Sequence, residues 1–408
     1  MGIERVQCDY VSLDETFEIG KEKYHGQQYC HIYFARLHLM RTLLYSLVPH
    51  WKPNFPVCTV LELEEGKECV IVGTLYKHMQ LKPRVLDEYS KQKSVVPLVK
   101  PHNFMHSDDY LVLEDESGRV KLSGNIIPPE YVTGIVVAVL GKESGAGDFL
   151  VQDVLDAGLP PQIEFPLKSG EDKYVVLVSG LSVGSSTSNP LQFQLLIDHI
   201  TGHLGDEKAQ LFASKIVQVV FAGNLVEIPH RILNGQNLAS EDFARMSEPI
   251  RELDILLSQI AAGLPLDIMP GPSDPANFSL PQQSLHECLF PGSSSYNTFR
   301  SCTNPHSFEL DNVRFLGTSG QNVDDLDKYS DAKDKLEFME RTLRWRHLAP
   351  TAPNTLGSEG QLVRLICVPK FSETGVAVMV SFKSCTLHFN LDMAFLYLYK
   401  YIIPLAYQ

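Results

Sequence analysis

The stretch IVQVVFAGNLVE, residues 216–227, decides the fold of this chain. Its β-branched and aromatic residues run almost unbroken to Gly223, and Asn224 and Glu227 follow on the turn beyond it. An apolar run that ends at glycine is typical of a strand buried on both faces of a sheet. In such sheets, functional side chains lie just past the carboxyl ends of the strands. The sequence therefore predicts a buried strand that carries polar side chains to one edge of a sheet.

Two other stretches end in the same way, namely YVVLVSGLSVGS at residues 174–185 and LPLDIMPGPSD at residues 264–274. Three buried strands that each deliver a polar turn to one edge are the architecture of a metal-dependent phosphoesterase. Its metals need Asp, His and Asn side chains on those turns. Most of these ligands are missing from the three turns.

Composition limits the classes of function. The chain has 408 residues, 44% of them hydrophobic, which is enough for two domains with packed cores. Its formal net charge of -14 gives no general positive field for nucleic acid and suits a protein that binds other proteins. The eight cysteines form no C-x-x-C pair, which fits reduced thiols in a cytosolic or nuclear protein. We expect no membrane span, since Asp392 and Lys400 interrupt the best apolar stretch.

Residues 68–154 have a different hydrophobic pattern from the rest of the chain. Short alternating segments follow one another with glycine-bearing turns and no long helix, which predicts a small closed barrel of the OB type. Barrels of this type often bind single strands through aromatic and basic residues. Here the strands have few aromatic residues and LVLEDES is acidic. We therefore favour a docking scaffold over direct binding of nucleic acid.

Helical patterns flank the barrel and follow the buried strands. One runs from Tyr29 with an apolar stripe and is expected to close at Pro49. Others cover residues 190–202, a four-turn segment around Leu257, and a segment around Met339. The residues before the first helix are predicted to be loose, and TNPHSFELDNVRFLG, residues 303–317, is predicted to form a hairpin.

The ligand positions of a dinuclear phosphoesterase can be aligned with the three turns. The backbone glycines survive, but the aspartates and histidines that hold and bridge two metals are replaced. Without the bridging carboxylate and the general acid, nothing remains to hold a metal pair or protonate a leaving group. We predict no catalytic residue, no metal site and no cofactor, and interpret seven positions as vestigial: Gly180, Ser182, Asn224, Glu227, Ser273, Asp274 and Ser319.

Several motifs together resemble one known family. The motifs are QQYCHIYFARLHLMR, CVIVGTLYK, LVLEDESGRVKLSG, VFAGNLVE, DIMPGPSDPANFSLPQQSLH, VRFLGTSGQNVDDL and RHLAPTAPNTLG. These motifs identify the chain as similar to the small regulatory (B) subunits of eukaryotic replicative DNA polymerases, and specifically to those of polymerase delta. The resemblance covers roughly residues 24–384, and GTSGQNV is among its most specific motifs.

The resemblance implies an α+β fold, in which an OB-type β-barrel is packed on an inactivated calcineurin-like phosphoesterase-type α/β sandwich with mixed β-sheets. It implies a non-catalytic scaffold in the nucleus, active in DNA replication and repair synthesis. Such a scaffold bridges the carboxy-terminal metal-binding module of the catalytic subunit and a third accessory subunit that links to the sliding clamp. It meets DNA only through the complex and contacts no membrane.

The chain also departs from that family. After Gly357 the relatives continue with a further segment, whereas this chain passes directly to EGQLVRLICVPKFSETGVAVMV and ends in an unusual apolar tail. This suggests a shortened or alternative form. The predicted domains are an N-terminal segment with one helix at 1–50, an OB-fold domain at 51–165, an inactivated phosphoesterase-like domain at 166–384 that lacks the family segment, and the hydrophobic tail at 385–408.

Two alternatives to the scaffold remain open from the residues. The first is a divergent metal-dependent phosphodiesterase or nuclease that uses one metal and the carboxylates Glu227, Asp274, Asp324 and Asp325. The second is autonomous single-strand binding by the barrel, for which binding would weaken steeply with salt. The histidines, including the i, i+4 pair His199 and His203, are interpreted as solvated or hydrogen-bonded side chains rather than ligands.

Overall fold

The computed structural model describes residues 4–19, 29–82, 103–159, 172–186, 188–228, 240–277, 279–351, 368, 370–381 and 387–388. The strands of this part of the chain are β1 (Tyr10–Ser12), β2 (Val57–Cys58), β3 (Glu68–His78), β4 (Tyr110–Glu114), β5 (Arg119–Gly124), β6 (Val136–Glu143), β7 (Phe149–Leu155), β8 (Tyr174–Val178), β9 (Ile216–Ala222), β10 (Leu266–Met269), β11 (Phe299–Ser301), β12 (His306–Leu310), β13 (Val313–Gly317), β14 (Val378–Ser381) and β15 (Leu387–His388). Its α-helices are α1 (Tyr29–Trp51), α2 (Pro190–Thr201), α3 (Glu207–Ala213), α4 (Ser240–Ala261), α5 (Gln321–Tyr329), α6 (Lys335–Arg344) and α7 (Phe371–Thr374). Within these ranges, no helix is both long and apolar enough to cross a membrane.

The chain forms two compact units, and each is discontinuous in sequence. The barrel unit consists of Glu22–Ile163 and Asn322–Leu365, and the sheet unit consists of the segments before, between and after them. The structure thus groups residues 322–351 with the barrel, whereas the sequence placed them in the domain at 166–384. The reason is apolar burial, since Leu326, Phe338 and Trp345 lie in the barrel's own core. The predicted domain boundaries otherwise stay predictions, and the position after Gly357 lies outside the described residues.

The barrel is closed by hydrogen bonds between its first and fourth long strands. Its strands pair in the order β3-β4-β5-β7-β6, and β6 returns to β3, with β2 added beside β3. The pairing of β5 with β7 is parallel, while the other long-strand pairs are antiparallel. Alternate side chains such as Ile71, Leu113 and Val139 fill the interior. The prediction of a small closed barrel is confirmed.

Helix α1 covers part of the outside of the barrel. Leu37, Leu44 and Val48 of the helix pack on Val70 and Val72, which point outward from β3. The predicted apolar stripe is therefore core packing. The helix does not close at the predicted proline but continues to Trp51, because proline's fixed φ is itself helical and costs only one hydrogen bond so close to the end.

The sheet unit contains two sheets that share a core. The larger sheet has the order β11-β10-β9-β8-β14-β15, in which β8 to β11 are parallel and β14 is antiparallel to β8. The smaller antiparallel sheet has the order β1-β12-β13. Val175 and Val220 of the larger sheet pack with Phe308 and Leu310 of the smaller one. Side chains on the opposite face of the larger sheet pack with α2 and α4, so the unit is an α/β sandwich with mixed sheets, as predicted.

The smaller sheet corrects one expectation and confirms another. The predicted hairpin forms, with Asp311 and Asn312 both in the left-handed region that a tight turn requires (φ 47° and 68°). The start of the chain is not loose throughout, because Tyr10 to Ser12 pair with β12 in the register Tyr10↔Leu310. So short a segment has no strand signal of its own and is ordered by a partner almost 300 residues away.

Candidate functional site

The candidate site is the set of turns at the carboxyl ends of β8, β9 and β10. The first two turns continue to pair beyond the strands, since the Gly180 N–H donates to the Gly223 carbonyl at 3.0 Å and the Ser182 N–H to that of Asn224 at 2.9 Å. All four residues have positive φ, between 48° and 75°. The backbone thus turns sharply at each strand end and brings these turns together, as the sequence predicted for this edge.

Asp274 lies at the centre of the three turns and is only 3% exposed. Its Oδ1 accepts hydrogen bonds from the N–H groups of Leu225 (2.8 Å) and Val226 (2.9 Å), and its Oδ2 accepts one from Gly271 (2.8 Å). Burial raises the pKa of Asp274 to about 7, against the opposite effect of these backbone donors. Both oxygens therefore face the protein's own backbone, and the carboxyl group ties the second turn to the third.

Asn224 and Ser273 form a neutral pair beside this carboxyl group. The Ser273 Oγ is 3.1 Å from Asn224 Oδ1 and 2.8 Å from the Val226 carbonyl, to either of which it can donate. A carboxylate at residue 224 would bring the charge needed to bridge two cations, whereas the amide brings none. The chemistry of this pair is that of a hydrogen-bonded turn.

Ser319 contacts the same edge from the segment after β13. Its N–H donates to Asn304 Oδ1 at 3.2 Å, and its hydroxyl donates to the Pro270 carbonyl in a short hydrogen bond. Close packing leaves no room here, because a Cβ on Gly223 would lie 2.5 Å from Ser319 Cβ and 3.0 Å from Gly271 Cα. The surviving glycine is thus required by backbone contact as well as by its φ.

A lysine occupies the space beside Gly180. A Cβ on that glycine would overlap the side chain of Lys370, whose Nζ pairs with Glu373 at 3.0 Å. An aspartate at residue 180 would need this space. The Cβ and Cγ atoms of Lys370 fill that space, while its ammonium group is paired with the Glu373 carboxylate. Sequence reasoning missed Lys370, since it lies 190 positions from Gly180.

The structure does not bring together all the residues considered from the sequence. Among the seven positions interpreted as vestigial from the sequence, Glu227 has an exposed side chain, and only its backbone N–H joins the turns by donating to the Val183 carbonyl at 3.0 Å. Asp324 and Asp325 lie in the barrel unit within α5, where Asp324 pairs with Lys335 at 3.0 Å and Asp325 contacts Thr351. The four carboxylates considered for a one-metal site therefore have separate local roles.

The histidine pair also has separate environments. Helix α2 ends at Thr201, so His203 lies beyond it, exposed, with its Nδ1 2.8 Å from Thr201 Oγ1. His199 remains in the helix, and burial lowers its pKa. The i, i+4 pair does not share a helix face, because Gly202 takes a left-handed C-cap conformation (φ 82°) between the two residues.

A second polar cluster, buried between the two sheets, was not found from the sequence. His306 Nδ1 lies 2.8 Å from Asp14 Oδ2, its Nε2 lies 3.2 Å from Asp267 Oδ2, and Arg300 pairs with Asp267 at 2.6 Å. Burial favours a lower pKa for His306, but its hydrogen bonds to Asp14 and Asp267 outweigh burial and raise the pKa strongly.

Asp14, His306 and Cys302 place one potential metal-ligand atom each within 4.8 Å of one another. However, both ring nitrogens of His306 are engaged by carboxylates, and burial raises the pKa of the Cys302 thiol to about 12, which keeps it protonated. The geometry fits an imidazolium ion between two carboxylates. Sequence signals could not find it, because Asp14 lies on a short segment almost 300 residues from His306.

Comparisons with known proteins agree on one family. Residues 28–154 match the family model described as the DNA polymerase delta subunit OB-fold domain, and residues 175–374 match the one for the B subunits of DNA polymerases alpha and epsilon. The chain is 66% identical to the DNA polymerase delta small subunit of Arabidopsis thaliana, over 94% of this chain and 96% of that protein. It is 63% identical to the protein of the same name from Oryza sativa subsp. japonica (94% and 97%), and 34% identical to DNA polymerase delta subunit 2 of Drosophila melanogaster (92% and 95%).

Proposed function

Because the chain belongs to the family of DNA polymerase delta small subunits, we propose that it is a non-catalytic scaffold of the polymerase delta complex. In this proposal it bridges the carboxy-terminal metal-binding module of the catalytic subunit and the third, accessory subunit that links to the sliding clamp. It serves DNA replication and repair synthesis in the nucleus and contacts DNA through the complex. The names of the relatives support membership of the complex, while the bridging role rests on the family resemblance.

The observation that carries the non-catalytic role is the hydrogen bonding of Asp274. Both oxygens of this carboxyl group accept backbone N–H groups, although it stands on the turn where an active phosphoesterase would place a ligand. The neighbouring Asn224 and Ser273 are neutral and bonded to each other. A dinuclear centre needs several free carboxylate and imidazole ligands at this edge. We therefore propose a pseudo-phosphoesterase whose strand-end turns have become structural.

The alternative of a one-metal phosphodiesterase receives less support from the geometry. It requires Glu227, Asp274, Asp324 and Asp325 to converge, yet the Glu227 side chain is exposed and Asp324 is paired with Lys335. The side chain of Lys370 fills the space beside Gly180 that an aspartate ligand would need. We propose that this chain functions without a metal ion or a cofactor.

Co-expression with a polymerase delta catalytic subunit tests the scaffold. The full chain is expected to copurify with the complete catalytic subunit and to be lost when the carboxy-terminal metal-binding module is deleted. Adding the accessory subunit should give a ternary complex only when this chain is present. A chain that stays monomeric beside the complete catalytic subunit would contradict the proposal.

A hydrolysis assay tests the absence of catalysis separately. The purified chain is incubated with Mn²⁺ and a phosphodiester such as bis-p-nitrophenyl phosphate, with Asp274→Ala and Glu227→Gln as comparison variants. We expect no turnover above the buffer background for any of them. Manganese-dependent turnover by the wild type that disappears in Asp274→Ala or in Glu227→Gln would refute the non-catalytic role.

A further inference from the structure

Helix α1 is apolar on two opposite sides, and its inner side packs on the barrel. On the outer side, Phe34 is 54% exposed, Leu39 is 70% exposed and Tyr45 is 41% exposed. A surface helix normally carries charged side chains opposite its packed side, whereas a helix that is apolar all round is normally buried all round. Clustered exposed apolar side chains mark surfaces that bind other polypeptides. The outer side of α1 is therefore a candidate interaction surface.

The outer side also lacks the charges of an ordinary solvated surface. Asp and Glu account for 49 of the 408 residues of the chain, but neither they nor lysine occurs between Tyr29 and Trp51. The two arginines of this range are Arg36, which is buried, and Arg41, whose side chain is 24% exposed. Charged residues are depleted at the centres of protein–protein interfaces. The composition of α1 thus agrees with burial against a partner.

The polar side chains of the outer side already have partners within α1. The Thr42 hydroxyl donates to the His38 carbonyl at 3.1 Å. The Ser46 hydroxyl donates to the Leu43 carbonyl at 2.6 Å, and the His50 Nδ1 lies 3.3 Å from the Ser46 carbonyl. Removing water from a polar group costs free energy unless that group is hydrogen-bonded elsewhere. A partner can therefore cover these side chains without leaving their bonded atoms unsatisfied.

The outer side has the form of a groove along the helix axis. Because successive residues of an α-helix are about 100° apart, Ala35 and Thr42 lie directly opposite the barrel. Leu39 stands on one flank of these small residues, and Phe34 and Tyr45 stand on the other, about three turns apart. We call these five residues the outer groove. Small residues between large ones let the side chains of a second α-helix pack into this surface.

We propose that the outer groove docks an amphipathic helix of another subunit of the polymerase delta complex, with apolar side chains in the groove and carboxylates along the flank formed by His38 and Arg41. The inference rests on the proposed scaffold function, and it adds the place and the chemistry of one contact. Arg41 now pairs with Glu116 at 3.1 Å, but the Glu116 side chain is 53% exposed. Exposed pairs are weak, so a carboxylate of the partner can replace Glu116.

A second copy of this chain is the competing occupant of the outer groove. Two chains of net charge -14 repel each other. Moreover, α1 of a second copy has no carboxylate to offer to Arg41. An acidic helix of a different protein supplies both the apolar stripe and the missing charge, and electrostatic complementarity of this kind selects the partner.

Biolayer interferometry of the full chain with the purified, complete catalytic subunit and with the purified accessory subunit tests the contact. Leu39→Glu and Phe34→Glu each place a carboxylate in the outer groove. Each is expected to weaken binding to the same one of the two subunits about tenfold or more and to leave binding to the other unchanged. Leu61→Glu is the matched control, since Leu61 is 80% exposed in the same unit but lies outside α1. Its affinity for both subunits should equal that of the wild type.

Charge variants of the exposed His38 give an independent readout. His38→Glu should weaken binding about tenfold. His38→Lys should strengthen binding at low salt, and salt should screen this gain. A defect in folding cannot imitate a gain in affinity. Thermal melts of all variants should match that of the wild type, because the substituted side chains are exposed.

The outcomes separate this contact from the scaffold function. Wild-type binding to both subunits that Leu39→Glu leaves unchanged would overturn the outer groove and keep the scaffold. Absence of wild-type binding to either subunit would overturn both. Tighter binding by His38→Glu than by His38→Lys would overturn the acidic partner. A wild-type dimer in light scattering that becomes monomeric in Leu39→Glu, at unchanged affinity for both subunits, would assign the outer groove to a second copy instead.

Discussion

Removing the Asp274 carboxyl group is expected to destabilise the sheet unit severely. In Asp274→Ala, the N–H groups of Leu225, Val226 and Gly271 lose the acceptors that they now contact at 2.8 to 2.9 Å. A buried donor left without an acceptor costs about 1–3 kcal/mol. Some of the three will be reached by water, and such costs do not add fully. We therefore expect the free energy of unfolding to fall by roughly 3–6 kcal/mol.

Thermal and urea unfolding of the purified chain measure this loss. For a unit of this size, a loss of 3 kcal/mol corresponds to a decrease in the midpoint temperature of about 6–12 °C. Glu227→Gln is the matched control in the neighbouring turn, because its side chain is exposed, and its change should stay within about 0.5 kcal/mol. Asp274→Asn should also be destabilising, since one carboxyl oxygen becomes an NH₂ group that faces a backbone donor.

The opposite result would refute the reasoning directly. If Asp274 were mainly a metal ligand, removing its buried charge would leave the metal-free chain equally stable or more stable. A midpoint for Asp274→Ala within 1 °C of that for Glu227→Gln would therefore show that the carboxyl group does not hold the turns together.

Three further predictions concern the same unit. Gly223→Ala should cost at least about 2 kcal/mol more than Gly320→Ala, because both glycines have positive φ but only at Gly223 would an added Cβ have neighbours within 4 Å; equal losses in urea unfolding would contradict the close approach. The raised pKa of His306 stabilises the folded state fully below the unfolded pKa of about 6.5 and progressively less above it. Between pH 7 and 9, the free energy of unfolding of the wild type should therefore fall by up to about 1.4 kcal/mol per pH unit relative to that of His306→Gln. Parallel pH profiles of the two proteins would refute the ion pair. Addition of 1 mM Mn²⁺ should leave the melting midpoint unchanged. A Mn²⁺ site with a dissociation constant of about 10 μM would instead add roughly 2.7 kcal/mol to the free energy of unfolding.

The strands of both units were predictable because their signal is local. Apolar runs ending at glycine indicated β8, β9 and β10, and alternation between turns indicated the barrel. The placement of α5 and α6 was not predictable in the same way. Their periodicity shows that one face is buried, but it does not say against which partner, and Phe338 in fact packs in the barrel core.

The candidate site was also predictable only in part. The turns meet as expected because parallel strands end at one edge, and the glycines mark where backbones touch. The hydrogen bonds of Asp274 and the position of Lys370 depend on side-chain contacts between distant segments, which no spacing rule contains.

The interleaving of the two units in the sequence has a consequence for biosynthesis. Strand β1 cannot pair until β12, almost 300 residues later, has been translated. The barrel core likewise cannot be completed until Leu326 and Trp345 are present, and these are translated after most of the sheet unit. Neither unit can complete its core while the ribosome is still adding these residues, so unfinished apolar surfaces of both coexist on one nascent chain. Such a polypeptide should depend on chaperones during translation, and ribosome release rather than emergence of the barrel should mark the onset of its protease resistance.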